Sequence, residues 1–183
     1  MKNKPHIQNR KSLRLKDYDY SQTGFYFVTI VIQDRECFFG EIKDGEMILN
    51  DAGKISYARW LWLKEQYHYV DLDEFVIMPN HIHGIIIIND VTNTNHSDRS
   101  RPVITKKIKP LPELIGAFKT TSSKMIHKQG LVNFKWQRSF YDHEIKNETD
   151  LNNIREYIVN NPLRWELDEE NPKNFERLGN VKM

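Results

Sequence analysis

Behind the turn residues Ser21-Gln22-Thr23-Gly24, the run Phe25-Tyr26-Phe27-Val28-Thr29-Ile30-Val31-Ile32 is dense in aromatic and β-branched residues, which predicts a central strand. A hairpin is predicted next: Cys37 to Ile42 as a second strand, Lys43-Asp44-Gly45-Glu46 as the turn, and Met47-Ile48-Leu49 as a third. From Ala52 to about Tyr69 the spacing changes. Ile55, Ala58 and Trp62 recur near a helical period, Leu61 and Leu63 widen the face, and Asn50 or Asp51 stands where an N-cap belongs, so a helix is expected to pack on the sheet. Phe75 to Met78 and Gly84 to Ile88 then predict two adjacent strands, separated by Pro79-Asn80-His81-Ile82-His83.

The stretch from Asp90 to Pro112 is polar, basic and broken by three prolines, and it reads as a mobile loop. A second helix follows, with Leu114, Ile115, Phe118, Met125 and Ile126 as apolar positions. Lys119, Thr120, Ser122, Ser123, Lys124 and Lys128 are expected to face outward or toward a phosphate chain. Trp136 to Ile145 predicts another strand. A last helix starts from Asn147 as N-cap, with Glu148 and Asp150 in its positively polarised first turn and Leu151, Ile154 and Ile158 as its packing stripe, and it stops at Pro162. Past Trp165 the residues are polar and carry no pattern. This order fits an α+β sandwich with helices against a mainly antiparallel sheet.

A chain of 183 residues makes one domain, here divided as a basic arm at 1–16, a body at 17–165 that includes the 90–112 loop, and a tail at 166–183. The longest aliphatic run, Ile85 to Ile88, is far shorter than the roughly 20 residues a membrane helix needs, and Met1 to Lys16 has no apolar secretory core, so a soluble cytoplasmic protein is expected. Cys37 has no partner for an internal disulfide or a multi-cysteine zinc site, which leaves His, carboxylate and amide groups as metal ligands. The net charge of +2 conceals a segregation: residues 1–16 hold six Lys/Arg and no acid, and residues 99–138 hold ten Lys/Arg against Glu113 alone. Two basic segments on an otherwise acidic body form an electrostatic footprint for a polyanion, and also describe a solvated face plus a tail.

His81 and His83 alternate along an extended chain, so both imidazoles project to one side, where they can share a divalent ion or simply lie on a strand surface. Their setting between Pro79-Asn80 and an apolar strand asks for polar partners. Tyr157 and Asn161 are four apart and lie one above the other on the last helix. Spacing alone also allows an edge-of-core tyrosine and a capping asparagine.

From Arg10 to Trp165 the sequence resembles the single-tyrosine HUH transposases of small insertion sequences, and most closely those associated with repetitive extragenic palindromes (REPs). The resemblance rests on Arg14-Leu15-Lys16-Asp17-Tyr18-Asp19-Tyr20, Gly24 to Ile30, Phe75-Val76-Ile77-Met78-Pro79-Asn80-His81-Ile82-His83-Gly84, Gly116-Ala117-Phe118-Lys119, Tyr141-Asp142-His143-Glu144-Ile145, and Tyr157-Ile158-Val159-Asn160-Asn161-Pro162. It implies a ferredoxin-like (RRM-like) catalytic domain, His81 and His83 as metal ligands, and Tyr157 as nucleophile. Asn161 falls where some relatives use glutamine as third ligand. Mg²⁺ or Mn²⁺ is the expected ion, although nitrogen donors also suit Zn²⁺. The expected partner is single-stranded or hairpin DNA, met in the cytoplasm at the nucleoid by a monomer or homodimer. Arg10, Lys11, Arg14, Lys106, Lys107, Lys119 and Lys124 are the candidate phosphate contacts. The competing expectation is an RRM-like nucleic-acid-binding module without catalysis, which leaves the histidine pair unexplained. A two-histidine phosphoesterase needs a second His-x-Thr/Ser motif, and His6, His68, His96, His127 and His143 supply none.

Overall fold

The computed structural model describes residues 22–90 and 108–174. The 1–16 arm, the loop residues 91–107 and the end of the tail lie outside the described residues, and with them Arg10, Lys11, Arg14, Lys106 and Lys107.

Alternation along β1 (Gly24–Val31) decides the layering. Tyr26, Val28 and Ile30 are wholly buried on one side, in the larger core shared with Trp60 and Leu63 of α1 (Asp51–Gln66) and with Leu114 and Phe118 of α2 (Leu111–Lys128). Phe25 and Phe27 turn the other way. They join a smaller core with Ile85, Ile145 and the Leu151, Ile154 and Ile158 stripe of α3 (Glu148–Asn160). The sheet is therefore covered on both faces.

β1 pairs antiparallel with β5 (His81–Ile88) and β6 (Tyr141–Ile145), and β5 with β4 (Val70–Ile77), in the order β4-β5-β1-β6. With α1 between β1 and β4 and α2 between β5 and β6, this is the ferredoxin-like α+β arrangement. A two-stranded ribbon, β2 (Gly40–Lys43) with β3 (Glu46–Leu49), is inserted before α1. No helix among the described residues is long and apolar enough to cross a membrane.

Several boundaries differ from the sequence expectation, each for a local reason. β2 begins at Gly40 rather than Cys37, because Phe39 is drawn into the core and its N–H donates to the Pro79 carbonyl. α1 stops at Gln66, since Tyr67 is already extended. β5 begins at His81, so the connector from β4 is only Met78 to Asn80. α2 starts within the stretch read as loop, with Pro112 in its first turn, where a missing N–H costs nothing. In α2, Met125 is exposed while Ser122 is buried, donating to the Phe118 carbonyl and accepting from Trp136 Nε1. The strand expected from Trp136 is confined to Tyr141–Ile145. Lys119 Nζ donates to the Gln137 and Ser139 carbonyls, holding that segment by a side chain, and Trp136 makes a single bridge to Ile32. Asn161 is αR in spite of Pro162, and the chain runs straight on into a 3-10 turn at Pro162–Leu167.

A β-carbon on Gly84 would stand 2.5 Å from Trp60 Cζ2 and 3.0 Å from Phe75 Cβ, in a fully packed part of the core. Gly84→Ala is expected to lower unfolding free energy by ~1–3 kcal/mol in urea titrations. Gly116, in the interior of α2 with no atom within 4 Å of an added β-carbon, is the control; Gly116→Ala should raise stability by about 0.5–1 kcal/mol.

Candidate active site

On β5 the period of two sorts the side chains: Ile82 and Ile86 go to the α1/α2 core and His81 and His83 to the side covered by α3. Both imidazoles are buried, with 0% and 4% of their surface exposed. Their Nε2 atoms face each other at 3.0 Å. Of the outer nitrogens, His81 Nδ1 lies 2.8 Å from Asn80 Oδ1 and His83 Nδ1 lies 2.9 Å from the Thr29 hydroxyl. Phe27 stacks on the His83 ring.

α3 crosses this face pinned at both edges of the sheet. At the β4 edge Arg155 donates twice to Asp73, whose carboxylate comes from a bulge between Leu72 and Phe75; at the β6 edge His143 Nε2 lies 2.9 Å from Asp150 Oδ2. Held this way, the helix sets the Tyr157 hydroxyl 3.2 Å from His83 Nε2, with its ring edge-on to Phe27. Tyr157 stays 40% exposed, so a substrate can reach it. One turn on, Asn161 is buried, and its Oδ1 has no hydrogen-bond partner.

The 3-10 turn then folds the following residues back over the site, as a strap. Asp168 Oδ2 reaches 3.8 Å from His81 Nε2, and the possible ligand atoms of His81, His83 and Asp168 all lie within 4.8 Å of one another. Sequence reading missed Asp168 because it falls in the stretch taken for a patternless tail. Its signal was the acidic run Asp168-Glu169-Glu170 shortly after a proline-interrupted helix. His83, Tyr157, Asn161 and Asp168, but not His81 behind them, line a cavity of about 570 Å³ together with Tyr141 and Arg164, large enough for a nucleotide unit.

A Haemophilus influenzae protein described only as uncharacterized is 39% identical over 168 residues, which is 89% of this chain and 93% of that protein; the two belong to one family. A second H. influenzae protein, named "putative REP-associated tyrosine transposase", is 29% identical over 147 residues, covering 80% of this chain and 74% of its own length. A solved structure of a REP-associated tyrosine transposase bound to a REP hairpin superposes with a TM-score of 0.55 over 82% of this chain and 73% of that one, at 19% identity, and so shares the fold. The chain is related to the REP-associated tyrosine transposases. No protein-family model matches it. The relationship points to DNA processing of the transposase type.

In this transposase relative the site's electrostatics favour a cation. Burial drives His81 well below the ordinary imidazole range, with the neighbouring His83 and Arg35 adding to it, and burial takes His83 down to about 3. Both rings are thus neutral at physiological pH, the form that ligates a metal. Burial and the Asp168 charge raise the Tyr157 phenol, an effect the Asn161 amide opposes; burial likewise raises Asp168. Without added positive charge the site works against a tyrosinate. The two Nε2 atoms, 3.0 Å apart, match the spacing of neighbouring ligands on an ion bound at roughly 2.1 Å, and the orphaned Asn161 Oδ1 and Asp168 add oxygen donors, so the residues fit a divalent ion.

The candidate phosphate contacts are distributed differently. Lys124 is exposed on α2, which covers the sheet face opposite the histidines, and Lys119 is engaged by two carbonyls. Among the described residues, Arg164 is the Lys or Arg that lines the cavity.

Arg155 holds the Asp73 carboxyl below the usual carboxylate range. A depressed folded-state pKa contributes stability that is present above the unfolded value near 3.9 and is lost as pH falls through the folded value. Arg155→Gln should therefore lower the urea midpoint at pH 7, with the gap to the parent narrowing below about pH 4.

Proposed function

We propose that this chain is a metal-dependent single-stranded DNA endonuclease and strand transferase that works through a 5′-phosphotyrosine on Tyr157, with hairpin-forming, REP-like DNA as substrate. The observation that carries this reading is the Tyr157 hydroxyl held 3.2 Å from His83 Nε2 on an open cavity. Tyr67 and Tyr69 belong to the core on the other face of the sheet, and Tyr141 lines the cavity from β6. The reading also draws on the transposase relationship and on the hairpin bound in the similar solved structure.

His81, His83 and Asn161, with the Asp168 carboxylate beside them, would hold Mg²⁺ or Mn²⁺, which supplies positive charge to the scissile phosphate and to the leaving 3′ oxygen. The Tyr157 oxygen bonds to phosphorus, the bond from phosphorus to the 3′ oxygen breaks, and the phenol's proton is balanced by the one the 3′-OH takes up. Bond energy is retained in the phosphotyrosine, so a second 3′-OH can reverse the step on another strand end. Phe27 and the two edge anchors of α3 keep the phenol in place through both steps. Tyr141, half exposed beside the cavity, offers a face on which an unpaired base can stack. The 1–16 arm and the 99–138 segment are assigned to phosphate tracking at the nucleoid.

Tyr157→Phe should retain DNA and Mn²⁺ binding and lose the covalent adduct with labelled single-stranded DNA; peptide mass spectrometry placing an adduct on another tyrosine would reject the assignment. His81→Ala should abolish Mn²⁺ binding in calorimetry, with Asp168→Ala and Asn161→Ala weakening it, while the fold persists by circular dichroism. Lys124→Ala should reduce the slope of log K against log salt by about one, as loss of one phosphate contact requires.

A further inference from the structure

Asn80 is fully buried between the histidine pair and the strap, and its side chain spends its amide on three neighbours. Nδ2 donates to the carbonyl oxygens of Arg35 at 2.9 Å and Glu170 at 2.7 Å, and Oδ1 lies 2.8 Å from His81 Nδ1. Carbonyls only accept, so the amide fits one way round, with its oxygen toward the imidazole. An amide oxygen also only accepts. His81 Nδ1 must then carry the ring proton, and the Nε2 lone pair is left pointing at His83 Nε2. His83 is held otherwise: its Nδ1 faces the Thr29 hydroxyl, which can donate or accept and imposes no tautomer.

The other arm of Asn80 acts on Asp168. The Glu170 whose carbonyl Asn80 holds donates its own N–H to Asp168 Oδ1 at 2.6 Å, leaving Oδ2 facing His81 Nε2 at 3.8 Å. Arg35 repeats the tie through an ion pair with the Glu170 carboxylate at 2.5 Å. Asn80, His81, Asp168 and Glu170 thus close a ring of contacts around one imidazole.

We infer that Asn80 is a positioning residue with two tasks: it locks His81 in the Nδ1-protonated tautomer that frees Nε2, and through Glu170 it ties the strap carrying Asp168 to the same ring. What the freed Nε2 binds rests on the metal-site reading above; the tautomer and the tie rest on the hydrogen bonds alone. Neither task belongs to the connector residue that the sequence alone suggests.

The test compares the full-length protein with Asn80→Asp and Asn80→Ala by three measurements: ¹⁵N shifts of the His81 ring and amide exchange at residues 168–171, both metal-free, and calorimetry with Mn²⁺. Asn80→Asp keeps an acceptor and loses the donor, so the His81 tautomer should persist while exchange at 168–171 speeds up by about tenfold or more. Asn80→Ala loses both; the His81 proton should redistribute between the ring nitrogens and Mn²⁺ affinity should fall ~10–100-fold, as loss of such a partner does elsewhere. A folded Asn80→Ala protein with the parent's tautomer and Mn²⁺ affinity overturns the proposal. So does Asn80→Asp with unchanged exchange, or with the tautomer lost. Should Asn80→Ala fail to fold, Asn80→Asp decides by that split. If the parent protein itself gives no Mn²⁺ binding, the metal reading fails, while the shifts and the exchange still judge Asn80.

Discussion

A buried imidazole costs free energy unless both of its ring nitrogens find partners, and this protein buries two of them side by side. Meeting that demand draws in side chains from most of the fold. Thr29 comes from β1, Asn80 from the β4–β5 connector, Tyr157 from α3 and Asp168 from the strap. Among the described residues the two inner nitrogens face each other, the phenol and the carboxylate, a set of groups that together fits a cation.

Geometry of this kind needs stiff support, and the sheet provides it through ordinary means. α3 is a modest amphipathic helix whose apolar stripe alone would leave it free to slide. Its two polar anchors, Arg155 to Asp73 and His143 to Asp150, lie at opposite edges of the sheet and fix its rotation and its height. Asp73 can reach because β4 bulges beside it. Tyr157 is placed by packing and by these anchors, one at Asp150 about two helical turns before it and one at Arg155 two residues before it.

Charge is laid out on the same plan. The cavity mouth carries Asp168, Glu169 and Glu170 against Arg164, a poor host for a phosphodiester unless a cation sits among them. The lysines exposed on α2 lie across the sheet. The basic residues of α2 and the carboxylates of the cavity thus lie on different faces of the sheet, which keeps the one set from neutralising the other.

Sequence alone determined whatever depends on neighbours within one element. The strand character of β1, the Asn147 cap and the Leu151, Ile154, Ile158 stripe were all readable, because a period of two or of 3.6 is written in adjacent residues. The shared side of His81 and His83 and the stacking of Tyr157 over Asn161 followed from the same periods. Periodicity says which residues share a side, but it does not say what covers that side. Only the tertiary structure decided that the histidines face α3 and not α1 and α2, and that Lys119 holds the Gln137 and Ser139 carbonyls. It alone showed that Asn161 stays helical before a proline, and that a polar stretch without pattern folds back to deliver Asp168. Each of these turns on groups far apart in the chain meeting at hydrogen-bond range, where the cost of an unpaired buried polar atom selects the partner and no local rule can.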